Sequence, residues 1–233
     1  LLIHGFAYPE HEQRIGQLAQ EAEFTQISFS HEVAQEIKAV GRGDTTVADA
    51  YLTPILREYV GRLREELDSD VSLRFMQSNG GLTNAETFSG KNAVLSGPAG
   101  GVVASAHVGG LAGFGKTIGF DMGGTSTDVA VCVGGAPTIT RETRVGSFPV
   151  RSPSVDAQSI GAGGGSIASV SAVTGALRVG PESAGAAPGP AAYARGGTEP
   201  TVTDANVVLG HLPPVLLDGA MHLDVDAAHA AVE

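Results

Sequence analysis

The sequence predicts an α/β protein. Three observations carry that prediction: apolar residues at helical spacing from Val47 to Leu67, several short apolar runs of strand length, and glycine clusters set beside those runs. A chain of 233 residues exceeds the usual size of about 150 residues per domain, so one or two domains are expected. Hydrophobic residues make up 42% of the chain and aromatics 5%, with no Trp, so the core is built from Ala, Val, Leu and Ile.

Taken in order, Leu1-Leu-Ile-His-Gly-Phe6 has the pattern of a buried strand. It lacks a preceding turn or an initiator Met, so a start inside a domain is expected. Pro9-Glu-His-Glu12 reads as a helix start with Pro in the first turn. From Asp44, an N-cap type, apolar residues fall at Val47, Tyr51, Ile55, Tyr59, Leu63 and Leu67, with Leu52 and Leu56 widening the stripe. That spacing predicts a long amphipathic helix. Pro54 lies inside it and predicts a kink there or a break near Thr53. Val71, Leu73 and Phe75 alternate as a strand running into the Gln77-Ser-Asn-Gly-Gly81 turn, and Ala93-Val-Leu95 reads as another short strand. Ser96-Gly-Pro-Ala-Gly-Gly101 opens a helix of small residues narrow enough for close packing.

Lys116 to Asp121 and Thr127 to Val133 are two apolar strands joined by a Gly-rich turn. Pro137 to Val150 continues as a third strand or a strand pair. Ile160 to Ser169 is a second Gly-rich loop, Leu177 to Val179 a short strand, Pro181 to Pro200 a Gly/Ala/Pro surface loop, and a short helix starts at Thr203. No repeat of fixed period is present.

The formal net charge of −11 argues against sequence-independent binding of nucleic acid, which depends on basic side chains neutralising phosphates. No stretch reaches the roughly 18 to 20 apolar residues of a membrane span, and the opening residues lack the basic region and apolar core of a signal peptide. A cytoplasmic protein without membrane or nucleic-acid partners is expected. The single cysteine, Cys132, sits in an apolar strand and reads as a small core residue. The seven histidines show no metal-ligand spacing.

Gly110-Leu-Ala-Gly-Phe-Gly-Lys-Thr117 satisfies the Walker A spacing. A phosphate loop of that kind needs a strand before its glycines and a helix after them. Here the order is reversed. The run Gly119-Phe-Asp-Met-Gly-Gly-Thr-Ser-Thr-Asp-Val129 has better logic, as a strand, a Gly-Gly turn and a second strand. Gly123 and Gly124 leave room for phosphate oxygens, Thr125, Ser126 and Thr127 offer donors, and Asp121 suits Mg²⁺ bound through water. Asp128 is either a second catalytic carboxylate or an acceptor for its own turn. The plain alternative for the run is an ordinary Gly-Gly hairpin. For Asp204 and Asn206, helix capping and function stand level, and Arg178 reads as a phosphate contact or a strand-edge charge.

At this hairpin the chain resembles the acetate and sugar kinase, heat-shock chaperone and actin superfamily. Within it, the chain is most similar to the hydantoinase A/5-oxoprolinase family. The closer resemblance rests on Tyr8-Pro-Glu-His-Glu12, Thr45-Thr-Val-Ala-Asp-Ala-Tyr-Leu-Thr-Pro54, Met76-Gln-Ser-Asn-Gly-Gly-Leu82, Leu95-Ser-Gly-Pro-Ala-Gly-Gly-Val-Val103, the hairpin, Ile160-Gly-Ala-Gly-Gly-Gly-Ser-Ile-Ala168, Arg178-Val-Gly-Pro-Glu-Ser-Ala-Gly185, Pro188-Gly-Pro190 and Gly197-Thr-Glu-Pro-Thr-Val-Thr-Asp-Ala-Asn206.

The resemblance implies a ribonuclease-H-like mixed sheet flanked by helices in a two-lobed ATPase. Residues 1–95 would be the helix-rich end of the first lobe with the inter-lobe segment, and 96–233 the second lobe. This chain carries one Asp-Gly-Gly-Thr run, matching the family's second phosphate loop, so it would supply half of the cleft and be inactive alone. The implied chemistry is ATP- and Mg²⁺-dependent opening of a cyclic amide such as 5-oxoproline or a hydantoin, together with a hydantoinase B-like subunit or domain. Relatives use ATP to activate ketones for carboxylation, and a chaperone-like nucleotide-binding module is the reading from another class. The implied site is Asp121 and Asp128 for metal and base work, the hairpin residues Gly123 to Thr127, and a nucleotide-contacting loop of Gly161, Gly163, Gly164, Gly165 and Ser166. The family pattern places His two residues after the Asp matching Asp156. This chain has Gln158 there, so no metal or proton-transfer role carries over to it.

Overall fold

The computed structural model describes residues 1–233 as a mixed α/β chain in two compact units. One comprises Leu1–Gly119 with Ala130–Ala157, the other Phe120–Val129 with Gln158–Glu233.

In the first unit, α1 (Glu10–Glu21) follows Pro9, as the sequence indicates, and is succeeded by α2 (Ser30–Val33) and α3 (Ala39–Glu66). The opening Leu1–Phe6 run forms turns, not the expected buried strand, and Leu1 and Ile3 are exposed. Polar partners capture its backbone: Leu2 N donates to Glu12 Oε1 at 2.7 Å, while the Arg42 guanidinium donates to Leu2 O and, at 3.0 Å, to Ile3 O. Arg42 is wholly buried and also bonds Ser30 Oγ at 3.0 Å, whose hydroxyl donates to Glu12 Oε1 at 2.6 Å. His31 adds its amide at 3.3 Å and its Nδ1 at 2.8 Å from Glu12 Oε2. Burial opposes ionisation of Glu12, but the bonds from Ser30, His31 and Leu2 outweigh it and lower its pKa from the ordinary 4.5 to about 2.

Helix α3 has the predicted period, but begins at Ala39 rather than Asp44 and runs unbroken through Pro54. Its packing differs from expectation in a second way. Val47, Tyr51, Ile55 and Tyr59 are 63%, 72%, 55% and 49% exposed, while Arg42, Thr45, Thr46, Asp49 and Thr53 are buried. Hydrogen bonds hold this polar face inside. Thr45 Oγ1 accepts the Arg151 amide at 2.9 Å, Asp49 accepts the Ser28 hydroxyl at 3.0 Å and the Lys91 amide at 3.1 Å, and Thr53 Oγ1 accepts the Gly90 amide at 3.0 Å. Part of the apolar stripe, with Tyr51, Leu52 and Leu56, lines an open apolar cavity of about 660 Å³ completed by Val94, Val145 and Phe148.

Strands β1 (Arg74–Met76) and β2 (Leu82–Asn84) pair as an antiparallel hairpin whose turn uses Gly80 at φ +81°. The expected strand at Ala93–Leu95 is instead the end of a short helix, α4 (Gly90–Ala93), and a turn. Ser78 fixes this by donating to Asn92 O at 2.8 Å and accepting the Leu95 amide at 2.9 Å. Helix α5 (Ser96–Leu111) is the small-residue helix. Its Ala99, Val102 and Ala106 form a core with Ala130, Cys132 and Val155. It lies close enough to the following strand that a Cβ on Gly109 would stand 2.3 Å from Thr117 Cγ2.

Strands β3 (Lys116–Met122) and β4 (Thr127–Val133) fall where predicted. One face of β3 is open: Ile118, Phe120 and Met122 are 72%, 69% and 45% exposed, while α5 approaches the alternate face at Thr117 and Gly119. The expected strand or pair over 137–150 is a series of short strands, β5 (Ala136–Pro137), β6 (Ile139–Thr140), β7 (Thr143–Val145) and β8 (Phe148–Val150). Strand β5 pairs with β4, β7 with β8, and β6 with β9 (Ser154–Val155). Strand β10 (Ala157–Ile160) extends the main sheet in the order β10-β4-β3.

In the second unit, β11 (Ser166–Val170) and β12 (Leu177–Ser183) pair antiparallel. Helix α6 (Val202–Val208), the pair β13 (Val215–Leu216) and β14 (Met221–His222), and α7 (Val225–Val232) follow. Ala192, Val207, Leu223 and Ala228 form their core. The predicted surface loop over 181–200 starts inside β12 and buries Ala191 and Ala192 at 2% and 0% exposure. Asp204 draws that segment in by accepting the Ala191 and Ala192 amides at 3.3 and 2.8 Å. No helix is long and apolar enough to cross a membrane.

Replacing Arg42 by Met is expected to cost about 3 kcal/mol, since it strips a buried polar cluster of its central donor. Urea unfolding checks this, and an unchanged midpoint would show that the cluster does not hold α1 to α3. Glu12 makes a second expectation. Its depressed pKa stabilises the fold fully above pH 4.5, and that contribution is lost as pH falls towards 2. Glu12→Gln should therefore lower stability at neutral pH and flatten its dependence on pH across that window.

Candidate functional site

The hairpin between β3 and β4 closes on itself through Gly123 N donating to Ser126 O at 2.8 Å. Gly123, Gly124 and Thr125 are exposed, Ser126 is half-buried and Thr127 is buried. A second set of bonds lies behind the turn. Gly164 N donates to Gly123 O at 2.9 Å and Gly165 N to Gly124 O at 2.6 Å. Thr127 Oγ1 donates to Ala162 O at 2.5 Å. The two glycine-rich segments that the sequence singled out separately are thus one construction, joined backbone to backbone.

Close approach explains the glycines on the loop side. A Cβ on Gly163 would lie 2.7 Å from the carbonyl carbon and oxygen of Gly124 and from the carbonyl carbon of Thr125. Ser166 closes the loop from within, its hydroxyl accepting Gly163 N at 2.9 Å and its own amide donating to Gly163 O at 3.0 Å. Gly163, Gly165 and Ser166 are buried, while Gly161 stands exposed at the loop's edge.

The hairpin glycines have no such constraint. A Cβ on Gly124 would meet nothing within 4 Å, and one on Gly123 would only touch Ser126 O at 3.4 Å. No hydrogen bond within the chain occupies the amides of Gly124 and Thr125 or the hydroxyls of Thr125 and Ser126. The side-chain carboxylates of Asp121, exposed on β3, and Asp128, half-buried on β4, likewise make no hydrogen bond or ion pair. The turn therefore offers outward donors flanked by two uncompensated carboxylates, with its carbonyls turned back to the loop. Such a surface suits a phosphate and a hydrated divalent cation. No cluster of three or more metal-ligating side chains is present, so a cation there would complete its shell with water and phosphate oxygens.

Asp204 is fully buried and caps α6. It accepts Thr201 N at 3.0 Å and the Thr201 hydroxyl at 2.6 Å, while Thr201 Oγ1 accepts Asp204 N at 3.2 Å. Arg178 is exposed on β12, opposite Ser169. The Walker-like run resolves into something else. Gly113 takes φ +82° after α5, with Gly113 N donating to Gly110 O at 3.0 Å and Phe114 N to Gly109 O at 2.9 Å. That pair of bonds is a Schellman helix terminus. Thr203, which the sequence marks only as a helix start, contacts the Gly loop. The signal available for its surroundings was the Thr201-x-x-Asp204 spacing of a capping box.

A family model described as hydantoinase/oxoprolinase matches residues 42–233. The chain belongs to this family. Among its relatives, 5-oxoprolinase 1 of Arabidopsis thaliana is 45% identical over 218 residues, covering 92% of this chain and 17% of that protein. Caprolactamase subunit alpha of Pseudomonas jessenii is 40% identical over 96% of this chain and 33% of its own length. A crystal structure of ATP-dependent caprolactamase from that organism matches with a TM-score of 0.75 at 39% identity, covering 99% of this chain and 34% of that one. Nucleotide-free acetone carboxylase, from work on ATP-dependent acetone carboxylation, matches with a TM-score of 0.78 at 28% identity over 99% of this chain and 34% of that one. The chain thus spans about a sixth to a third of the length of these relatives and solved structures.

The two kinds of glycine predict opposite outcomes. Gly163→Ala should destabilise by about 1 to 3 kcal/mol by forcing the loop off the hairpin. Gly124→Ala should stay within about 0.5 kcal/mol of the parent. Thermal unfolding of both variants decides, and equal losses would show that the loop pairing does not hold the turn.

Proposed function

We propose that this chain forms one phosphate-binding jaw of an ATP-dependent enzyme that opens cyclic amides of the 5-oxoproline, hydantoin or lactam type. The observation that carries the reading is the hairpin at Gly123 to Ser126. It is braced from behind by the Gly161–Ser166 loop, and its outward amides and hydroxyls have no partner within the chain. Relatives named for ATP-dependent ring opening support it.

On this reading, Gly124, Thr125 and Ser126 hold nucleotide phosphates. Asp121 binds Mg²⁺ through water, and Asp121 and Asp128 divide metal holding and base work. Thr127, Gly163, Gly164, Gly165 and Ser166 shape the cradle, and Gly161 lies at its rim. The fold assignment that goes with the reading is the ribonuclease-H-like lobe of actin-like ATPases. ATP would supply its γ-phosphoryl group to the amide oxygen with ADP as leaving group, making the carbon an electrophile for water; phosphate would be released as the ring C–N bond opens. The chain's contribution is positioning and charge, as the dispersed charge of phosphoryl transfer requires. A second, hydantoinase B-like subunit or domain and the other jaw of the cleft complete the enzyme. In keeping with this, one relative is named as a subunit alpha, and the chain spans a third of it.

Ketone carboxylation is the rival reading, and the TM-score of 0.78 to acetone carboxylase favours it. Assaying the complete protein and its partner for ATP hydrolysis with 5-oxoproline, hydantoin, caprolactam, or acetone plus bicarbonate separates the two. Turnover indifferent to every substrate would point to a chaperone-like module instead. Asp121→Asn should lower ATP turnover at least 100-fold, in line with loss of an electrostatic contributor to the transition state. Lys116→Ala should stay within about twofold of the parent, because Lys116 is an exposed residue at the start of β3. Loss of turnover in Lys116→Ala with an intact fold would restore the Walker-like run as the phosphate site.

A further inference from the structure

We infer that Thr203 is a positioning residue for the phosphate hairpin, an inference that rests on the nucleotide-binding reading above. The Gly164–Gly165 peptide is fixed from both sides. Its N–H, on Gly165, donates to Gly124 O at 2.6 Å, and its carbonyl, on Gly164, accepts two bonds from one residue, Thr203 N at 2.8 Å and Thr203 Oγ1 at 2.9 Å. The hairpin carbonyl, the Gly164–Gly165 peptide and Thr203 therefore form one chain of hydrogen bonds. Donors to the carbonyl of a peptide polarise its N–H, so the pair from Thr203 strengthens the bond that Gly165 makes to the hairpin.

Thr203 is itself held. It is 6% exposed and sits in the first turn of α6. The fully buried Asp204 beside it caps that helix and carries the Ala191 and Ala192 amides. Position 203 thus transmits the rigidity of a capped, core-packed helix to a turn that it does not touch. Any residue but proline at 203 supplies the amide donor. Only a hydroxyl residue supplies the second bond, and the fit is tight, since a Cβ on Gly164 would stand 2.8 Å from Thr203 Oγ1. The hydroxyl fixes the Gly164–Gly165 peptide plane, and through it the direction in which the Gly124 carbonyl is held and the Thr125 amide of the same hairpin peptide faces away from the loop.

The test is steady-state ATP hydrolysis by the complete protein with its partner, at a temperature well below unfolding. Thr203→Val keeps the shape and removes the donor. It is expected to raise KM for ATP about tenfold, the worth of one buried hydrogen bond, with kcat within twofold. Thr203→Ser should restore the parent KM. Val207→Ala provides the stability control, because Val207 packs in the core of the same helix without reaching the Gly loop. It should lower the unfolding midpoint and leave KM unchanged. If Thr203→Val fails to fold, Thr203→Ala carries the same expectation. A parental KM in the Val or Ala variant, no rescue by Ser, or an equal rise in Val207→Ala would overturn the inference while leaving the nucleotide reading intact. A parent protein that neither binds nor hydrolyses ATP would remove both.

Discussion

The candidate site depends on a pair of backbone hydrogen bonds, Gly164 N to Gly123 O and Gly165 N to Gly124 O. A four-residue turn carrying two glycines has wide conformational freedom, and glycine loses more entropy on ordering than any other residue. Left to itself, such a turn would not present its amides in one direction. Engaging both glycine carbonyls on a second strand of backbone fixes the peptide planes, and the amides on the other side become a surface. Rigidity comes from peptide groups alone, so it needs the two backbones to approach without intervening side chains. Gly163, whose Cβ would overlap the hairpin backbone, meets that need.

The first unit is organised by a related constraint, expressed through side chains. Arg42, Ser30, Glu12 and His31 form a continuous buried polar cluster that binds the chain's opening turns to three helices. Buried charges of this kind contribute little beyond apolar packing when complete and are damaging when broken. Their effect is to select one arrangement. They also explain why α3 turns its Thr-rich face inward: once Thr45, Asp49 and Thr53 have backbone amides to accept, that face is satisfied where water is absent.

Periodicity and glycine chemistry made much of this legible. The spacing from Val47 announced a helix, the two apolar runs either side of the Gly-Gly turn announced β3 and β4, and the order of elements around Gly110 to Thr117 ruled against a phosphate loop there. What failed was the inference from period to burial. The same four-residue spacing marks a helix whether its apolar stripe faces in or out, and only partners distant in sequence, such as Gly90 and Arg151, decide between them. Ala93–Leu95 failed for a similar reason: three apolar residues suit a strand or a helix end, and the Ser78 hydroxyl, far away in sequence, settles it. The pairing of hairpin with Gly loop was invisible because backbone hydrogen bonds leave no residue-type signature beyond glycine itself.

Glycine usage shows how far that signature can be taken once geometry is known. Gly113 is required by a left-handed helix terminus, Gly109 and Gly163 by close approach of neighbouring atoms, and Gly80 by a hairpin turn. Each is accounted for by the chain's own packing. Gly124 is not: its backbone conformation is open to any residue, and a side chain would point into free space. At the tip of a turn held by bonds on its far face, this glycine leaves the neighbouring amides uncovered by any side chain of its own. Open space alone does not separate the two glycine-rich runs, since Gly110 and Gly115 also meet nothing within 4 Å; the groups around the glycines do. The Walker-like run lies at the end of a helix, where Gly113 serves the terminus, whereas the hairpin sets a surface glycine among unbonded amides and hydroxyls and beside two carboxylates without an ion pair, a set of groups that suits a phosphate and a hydrated divalent cation.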